Sequence, residues 1–236
     1  MSAGSGDERR GLRALWPRFA GRLGVADAAT ATNAALGFCA VAAATVSPQL
    51  AARLLLLAAI ADAVDGILAR RYGGTAVGPY LDSLADVASF GVAPAALAVA
   101  VARPAGQTAF ALAVVAGACF VALAVVRLGL YTVDDVANAH TLGVPTTLAG
   151  TLLAALVLAG FDAPLVVAAA TLVLAAAMVT RVPYPDLFVR DALAMGVVQA
   201  GALLAPRAFG RLLPRVLLVF ALAYLLLAPR FYWRDV

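Results

Sequence analysis

Residues 62–94 read DAVDGILARRYGGTAVGPYLDSLADVASFGVAP. Asp62 and Asp65 stand near the end of one long apolar run, and Asp82 and Asp86 near the start of the next. An ionised carboxylate inside a membrane span costs roughly 2.5–3.5 kcal/mol on insertion scales. Four of them within residues 62–86 therefore need a compensating partner. At about 100° per residue, Asp62, Asp65, Gly66, Ala69 and Arg70 share one helical face, and Gly78, Asp82, Asp86 and Ser89 share another. The short connection between the two runs makes them antiparallel neighbours, so the two faces can meet. Asp62 is eight residues from Arg70, about 12 Å along a helix axis, which places the site close to the membrane surface. Oxygen-only ligands suit hard cations such as Mg²⁺ or Mn²⁺. His140 is the only histidine, and Cys39 and Cys119 stand alone without metal-ligand spacing, which argues against a zinc-type site. Two divalent ions could clamp a pyrophosphate and stabilise both the attacking and the leaving oxygen. Gly66 and Ala69 keep the same face free of bulk. Arg70 is placed to meet a phosphate as a fork donor.

Two other readings of the aspartates stay open on residues alone. They could form interhelical ion pairs with Arg70 and Arg71, although two arginines cannot neutralise four carboxylates. They could also line a proton or ion pathway, although such paths tend to place acids near the midplane.

The elements that position these residues follow from composition. The chain has 236 residues, 64% hydrophobic and 13% charged, with mean hydropathy +0.97. Soluble domains are about half apolar and about a quarter charged. The outside of this protein is therefore apolar as well, and it faces lipid. In hydrocarbon, backbone groups have to pair internally, so apolar runs read as helices, at about 20 residues per span. The expected fold is all-α: a polytopic bundle with spans over 27–46, 50–70, 80–102, 106–130, 146–161, 163–180, 190–206 and 212–228. Prolines 79, 104, 145, 164, 183, 185 and 206 fall at or near the breaks. Residues 1–26 form a juxtamembrane segment whose mixture of Arg with Leu, Trp and Phe predicts a short helix on the membrane surface. Residues 27–236 form one transmembrane domain. All 17 basic residues are arginine, and with the N-terminus cytoplasmic 12 of them lie inside and 5 outside, as the positive-inside rule requires. The net charge of +4 is spread along membrane flanks, so anionic lipid headgroups are expected partners and nucleic acid is not.

The spacing D-x2-D-G-x2-A-R … G-x3-D-x3-D resembles the signature of the CDP-alcohol phosphotransferase family. Asp62, Asp65, Gly66, Ala69, Arg70, Gly78, Asp82 and Asp86 all occupy motif positions. Seven residues separate Arg70 from Gly78 where the family has eight, a change confined to the loop. The resemblance implies a six-span core, a homodimer and a multi-pass protein of the cell membrane with a cytoplasmic site. It implies that Asp62, Asp65, Asp82 and Asp86 hold two divalent cations, Mg²⁺ or Mn²⁺, around the pyrophosphate of a CDP-activated lipid. It further implies that Asp86 is the general base, that the alcohol oxygen attacks the lipid-linked phosphorus, and that CMP leaves. Within the family, DSLADVASFGVAPA at 82–95, TATNAALGF at 30–38, Arg127 with Leu128, LGVPTT at 142–147 and RVPYP at 181–185 resemble the phosphatidylserine synthase branch. That branch implies L-serine as acceptor. VADAATATNAALGF is especially similar to archaeal members, which would use an archaeol lipid in place of diacylglycerol. Ala26-Asp27 stands where the branch has Pro-Asn, and Leu130 where it has a second Arg.

On this reading the CDP-lipid would be bound by Asp27, Thr30, Asn33, Gly66, Ala69, Arg70, Thr75 and Gly78. The alcohol would be bound by Ser83, Ser89 and Arg127. Each polar residue also has a plain structural reading. Thr30 and Asn33 could hydrogen-bond a neighbouring helix, Thr75 could be a turn residue, Ser83 and Ser89 could bond back to their own helix, and Arg127 could be a snorkelling anchor. Two rival functions remain: the same chemistry with inositol phosphate or glycerol phosphate as acceptor, and an ion-coupled transporter.

Overall fold

A computed structural model describes residues 21–135, 140–185 and 189–232. The expected surface helix of residues 1–26 falls almost wholly outside them. Among the described residues the chain forms eight helical rods: α1 Val25–Ala44, α2 Pro48–Tyr72, α3 Gly78–Ala105, α4 Gln107–Leu130, α5 Thr146–Ala159, α6 Pro164–Met178, α7 Val189–Leu204 and α8 Leu212–Phe231. The rods coincide with the apolar runs of the sequence. Four helices are long and apolar enough to cross a membrane, by length and composition: Val25–Ala44, Gly78–Ala105, Gln107–Val133 and Ala208–Phe231. α5 and α6 are shorter and apolar. α2 has 25 residues but carries Arg53, Asp62, Asp65, Arg70 and Arg71. The protein is an all-α, multi-pass membrane protein.

Local sequence sets the ends of these rods. Ser47 accepts a hydrogen bond from the Leu50 N–H, and Pro48 fills the first helical position of α2, where its missing donor costs nothing. Gly160, with φ +93°, ends α5 in the left-handed region.

The buried seams combine large side chains, such as Phe90, Phe120, Leu55 and Leu97, with many small ones. Alanines occupy the buried seams, among them Ala40, Ala51, Ala52, Ala58, Ala98 and Ala154. Other large apolar residues such as Phe38, Val115 and Leu226 point outward. Lipid tails are as apolar as leucine, so helices associate in a bilayer by packing and close backbone approach rather than by a hydrophobic drive to hide side chains.

Two features depart from a plain bundle. The first is a π-helical turn at Val87–Val92 inside α3, one residue beyond Asp86, with the Ala93 N–H bonded to the Ala88 carbonyl. Pro94 explains it. A proline lacks an N–H and its ring crowds the carbonyl four residues back, and a widened turn relieves both. The second is a short β-ribbon that the sequence did not foretell within the all-α bundle. His140–Leu142 (β1) pairs antiparallel with Pro183–Pro185 (β2), with Thr141 opposite Tyr184. Gly143 continues the ribbon at φ +75°, and its N–H donates to the Val182 carbonyl. A Cβ there would lie 2.0 Å from the Met178 carbonyl oxygen, so the close approach needs glycine. Burial raises the Tyr184 phenol above its usual value, which keeps it protonated and donating.

Candidate active site

α1 packs against both α2 and the first turns of α3, and this arrangement builds the site. Carboxylate oxygens of Asp62, Asp82 and Asp86 lie within 4.8 Å of one another. Asp65 follows Asp62 by three residues on α2 and is itself buried. The two helical faces foreseen from the sequence do meet.

The aspartates are braced from two sides. From α1, the Asn33 amide donates to Asp62 Oδ1 at 3.5 Å and to Asp86 Oδ1 at 3.4 Å. From the first turn of α5, Thr147 donates to Asp62 Oδ2 at 3.3 Å and Thr146 to Asp86 Oδ2 at 3.4 Å. The N-terminal end of α5 also presents its partial positive charge to these carboxylates. Thr146 in turn accepts a hydrogen bond from Arg127 Nη1 at 3.5 Å, and Arg127 Nη2 donates to Thr141 of β1 at 3.2 Å. Arg127 is buried, with its guanidinium 5.5 Å from the Tyr131 ring centre. Instead of snorkelling out of the bundle, it turns in toward Asp86.

The donor set fits a hard divalent cation. All of the clustered ligands are carboxylate oxygens. Asp65 Oδ2 and Asn33 Oδ1 are buried without a hydrogen-bond partner among the described residues. Buried polar atoms are normally satisfied, so these two oxygens have capacity left for a ligand. The ion pair within 4 Å among the described residues is Arg190–Asp191, away from the cluster. Arg70 does not neutralise the aspartates. It is exposed, with its guanidinium folded over Gly66, where a Cβ would lie 3.6 Å from Nη1. Arg71 lies over the Tyr72 ring.

The other expected site residues fall in three places. Asp27, Thr75 and Gly78 gather at the mouth. Thr75 donates to Asp27 at 3.0 Å, the Gly24 N–H donates to Asp27 at 2.7 Å, and a Cβ on Gly78 would lie 3.5 Å from Asp27 Oδ1. Thr75 and the loop are therefore tied to the start of α1. Thr30 lines a cleft of about 260 Å³ with Ala31, Ala34, Leu81, Leu84 and Ala85, although its hydroxyl also donates to the Ala26 carbonyl. Ala69 is half-buried on α2, one turn beyond Asp65. Ser83 shares a hydrogen bond of 2.5 Å with Thr132. Ser89 is fully buried, donates back to the Ala85 carbonyl and lies against Gly37 of α1, so its hydroxyl is engaged within the bundle.

Sequence reasoning assigned no role to Thr146 and Thr147, though they stand in the LGVPTT stretch. It gave Asn33 to the nucleotide or to a hydrogen bond with a neighbouring helix; the structure shows the second, with two site carboxylates as the acceptors. The only signal for the threonines was two adjacent hydroxyls directly after a helix-starting proline.

Comparison with known proteins agrees with this geometry. The family model described as CDP-alcohol phosphatidyltransferase matches residues 23–183, which hold every residue of the site and end before α7. Archaetidylserine synthase from Methanothermobacter thermautotrophicus is 30% identical over 135 residues, covering 56% of this chain and 56% of that protein. The alignment therefore spans little more than half the length of this relative.

Proposed function

The chain belongs to the CDP-alcohol phosphatidyltransferase family, and we propose that it is a CDP-lipid–serine O-phosphatidyltransferase. The observation that carries the reading is the meeting of Asp62, Asp82 and Asp86, from two helices, within 4.8 Å at the motif positions. Serine as acceptor is supported by the similarity to a protein named archaetidylserine synthase and by the buried Arg127, whose charge suits a serine carboxylate.

In this reading Asp62, Asp65, Asp82 and Asp86 hold two divalent cations, Mg²⁺ or Mn²⁺. When bound, these ions neutralise the pyrophosphate and stabilise the charge that develops on the attacking and leaving oxygens. Asp27, Thr75, Gly78 and Arg70 frame the mouth where the CDP portion enters, and Thr30 lines the adjoining cleft. Asp86 accepts the proton of the serine hydroxyl, an alcohol too weakly acidic to attack unaided. The serine oxygen then bonds to the lipid-linked phosphorus. The bond from that phosphorus to the bridging oxygen breaks, and CMP leaves with both electrons. Asn33, Thr146 and Thr147 keep Asp62 and Asp86 oriented, a preorganisation that a 1 Å error would undo. The reading includes the eight-span topology with a cytoplasmic site in the cell membrane, the surface helix at the N-terminus and the homodimer that the family resemblance implies.

Asp86→Asn tests the assignment of the base. The variant keeps the shape of the side chain and removes its proton acceptor. We expect a folded protein with no CMP release, and undiminished turnover would remove Asp86 from its role.

A further inference from the structure

Tyr184 and Tyr224 stand outside the site, yet they connect it to the last helix. Pro229 lies inside α8 and has no N–H to give to the carbonyl four residues back, that of Leu225. The Tyr184 hydroxyl meets that same carbonyl at 2.9 Å. Tyr224, on α8, donates to the Pro185 carbonyl of β2, and the two rings lie 6.2 Å apart. The hydrogen bonds run in opposite directions and fasten β2 to α8. β2 pairs with β1, where Thr141 stands opposite Tyr184 and accepts from Arg127. Arg127 reaches Asp86 through Thr146. A ribbon of two three-residue strands has no stability of its own and depends on what it is fastened to.

We propose that Tyr184 and Tyr224 are positioning residues: by fastening β2 to α8 they hold the ribbon that sets Arg127 against Thr146 and Asp86. The inference rests on the transferase reading and adds to it a role for α8, which lies beyond the matched residues 23–183. Neither tyrosine touches the aspartates. Their effect passes through Arg127 to the acceptor end of the site.

The test uses Tyr184→Phe and Tyr224→Phe in the full chain in detergent with Mn²⁺. CMP release from CDP-diacylglycerol is followed as serine is varied. Losing one neutral hydrogen bond corresponds to about a three- to tenfold effect. It is expected as a rise in KM for serine, with KM for the CDP-lipid unchanged. Tyr224→Phe added to Arg127→Lys should cause little further loss, because the two act in one path. The Gly143 and Val144 amides, bonded to Val182 and Ala177 carbonyls, should exchange faster in the tyrosine variants. An unchanged KM for serine, or losses that multiply with Arg127→Lys, overturns the inference. No CMP release from the unaltered protein with serine overturns the serine-transferase reading instead and takes the inference with it. Faster amide exchange would still appear in that event, so the two failures are distinguishable.

Discussion

Replacing Gly37 with alanine adds one methyl group and changes no polar or charged side chain, and it should disable the site. A Cβ at Gly37 would lie 2.7 Å from both the Cα and the N of Ser89, and 2.9 Å from the Ala88 carbonyl carbon. These are backbone atoms of the π turn, so no side chain can rotate away. Comfortable carbon contacts are about 3.5–4.0 Å, so α1 has to retreat from α3 by about 1 Å. Overpacking of this kind costs about 1–3 kcal/mol of stability. The larger effect falls on geometry. Asn33 lies one helical turn before Gly37 on the same face, and its bonds to Asp62 and Asp86 are already 3.5 and 3.4 Å long. A further 1 Å breaks them, and a displacement of that size at a reacting centre can cost about 10²-fold in rate. The assay is CMP release alongside thermal unfolding in detergent. Gly129→Ala serves as control, because a Cβ at that α4 position meets nothing within 4 Å. We expect Gly37→Ala to lose about 10²-fold in turnover and Gly129→Ala to lose almost none. A Gly37→Ala protein as active and as heat-stable as the unaltered chain would refute the role given to this contact.

Removing divalent ions with EDTA should abolish turnover, and Mg²⁺ or Mn²⁺ should restore it; full activity in metal-free buffer contradicts the metal reading. Asn33→Ala should lower turnover by tenfold or more, taking the loss of hydrogen bonds to charged groups as about 1.5–3 kcal/mol, with Mn²⁺ binding largely kept; unaltered kinetics would show that the brace is dispensable. Gly143→Ala should destabilise the protein by roughly 2 kcal/mol or more, since it combines a left-handed backbone with a clash against the Met178 carbonyl. An unshifted unfolding temperature would speak against that close approach.

Much of the site was legible because helices are periodic. Asp62 with Asp65, and Asp82 with Asp86, recur at intervals that put each pair on one face, and a short loop joins the two helices. The helical rods were legible because apolar runs in lipid have to pair their backbone groups internally, although α5, α6 and α7, with 14, 15 and 16 residues, are shorter than a full span. The π turn was not, since hydropathy carries no record of which carbonyl a given N–H reaches. Pro94, about two turns after Asp86 in the apolar run, was its only trace. The β-ribbon was also hidden: its strands have three residues each and stand some forty residues apart, and RVPYP looks like a simple break. Arg127 could be read as an anchor because its sequence position is a helix end. Its inward turn depends on Thr141 and Thr146, which the fold brings to it. Residues that act through tertiary partners leave little mark in a local window, and Thr146 and Thr147, which reach Asp86 and Asp62 from another helix, are the plainest case.

The most direct measurement is CMP release from a CDP-lipid in detergent micelles with Mn²⁺, with serine, inositol phosphate and glycerol phosphate supplied in separate reactions. The account predicts release with serine alone. Release with only a phosphorylated alcohol would keep the phosphotransfer and contradict the acceptor. No release with any of the three, from protein shown to be folded, would contradict the transferase reading and favour ion transport by the four aspartates.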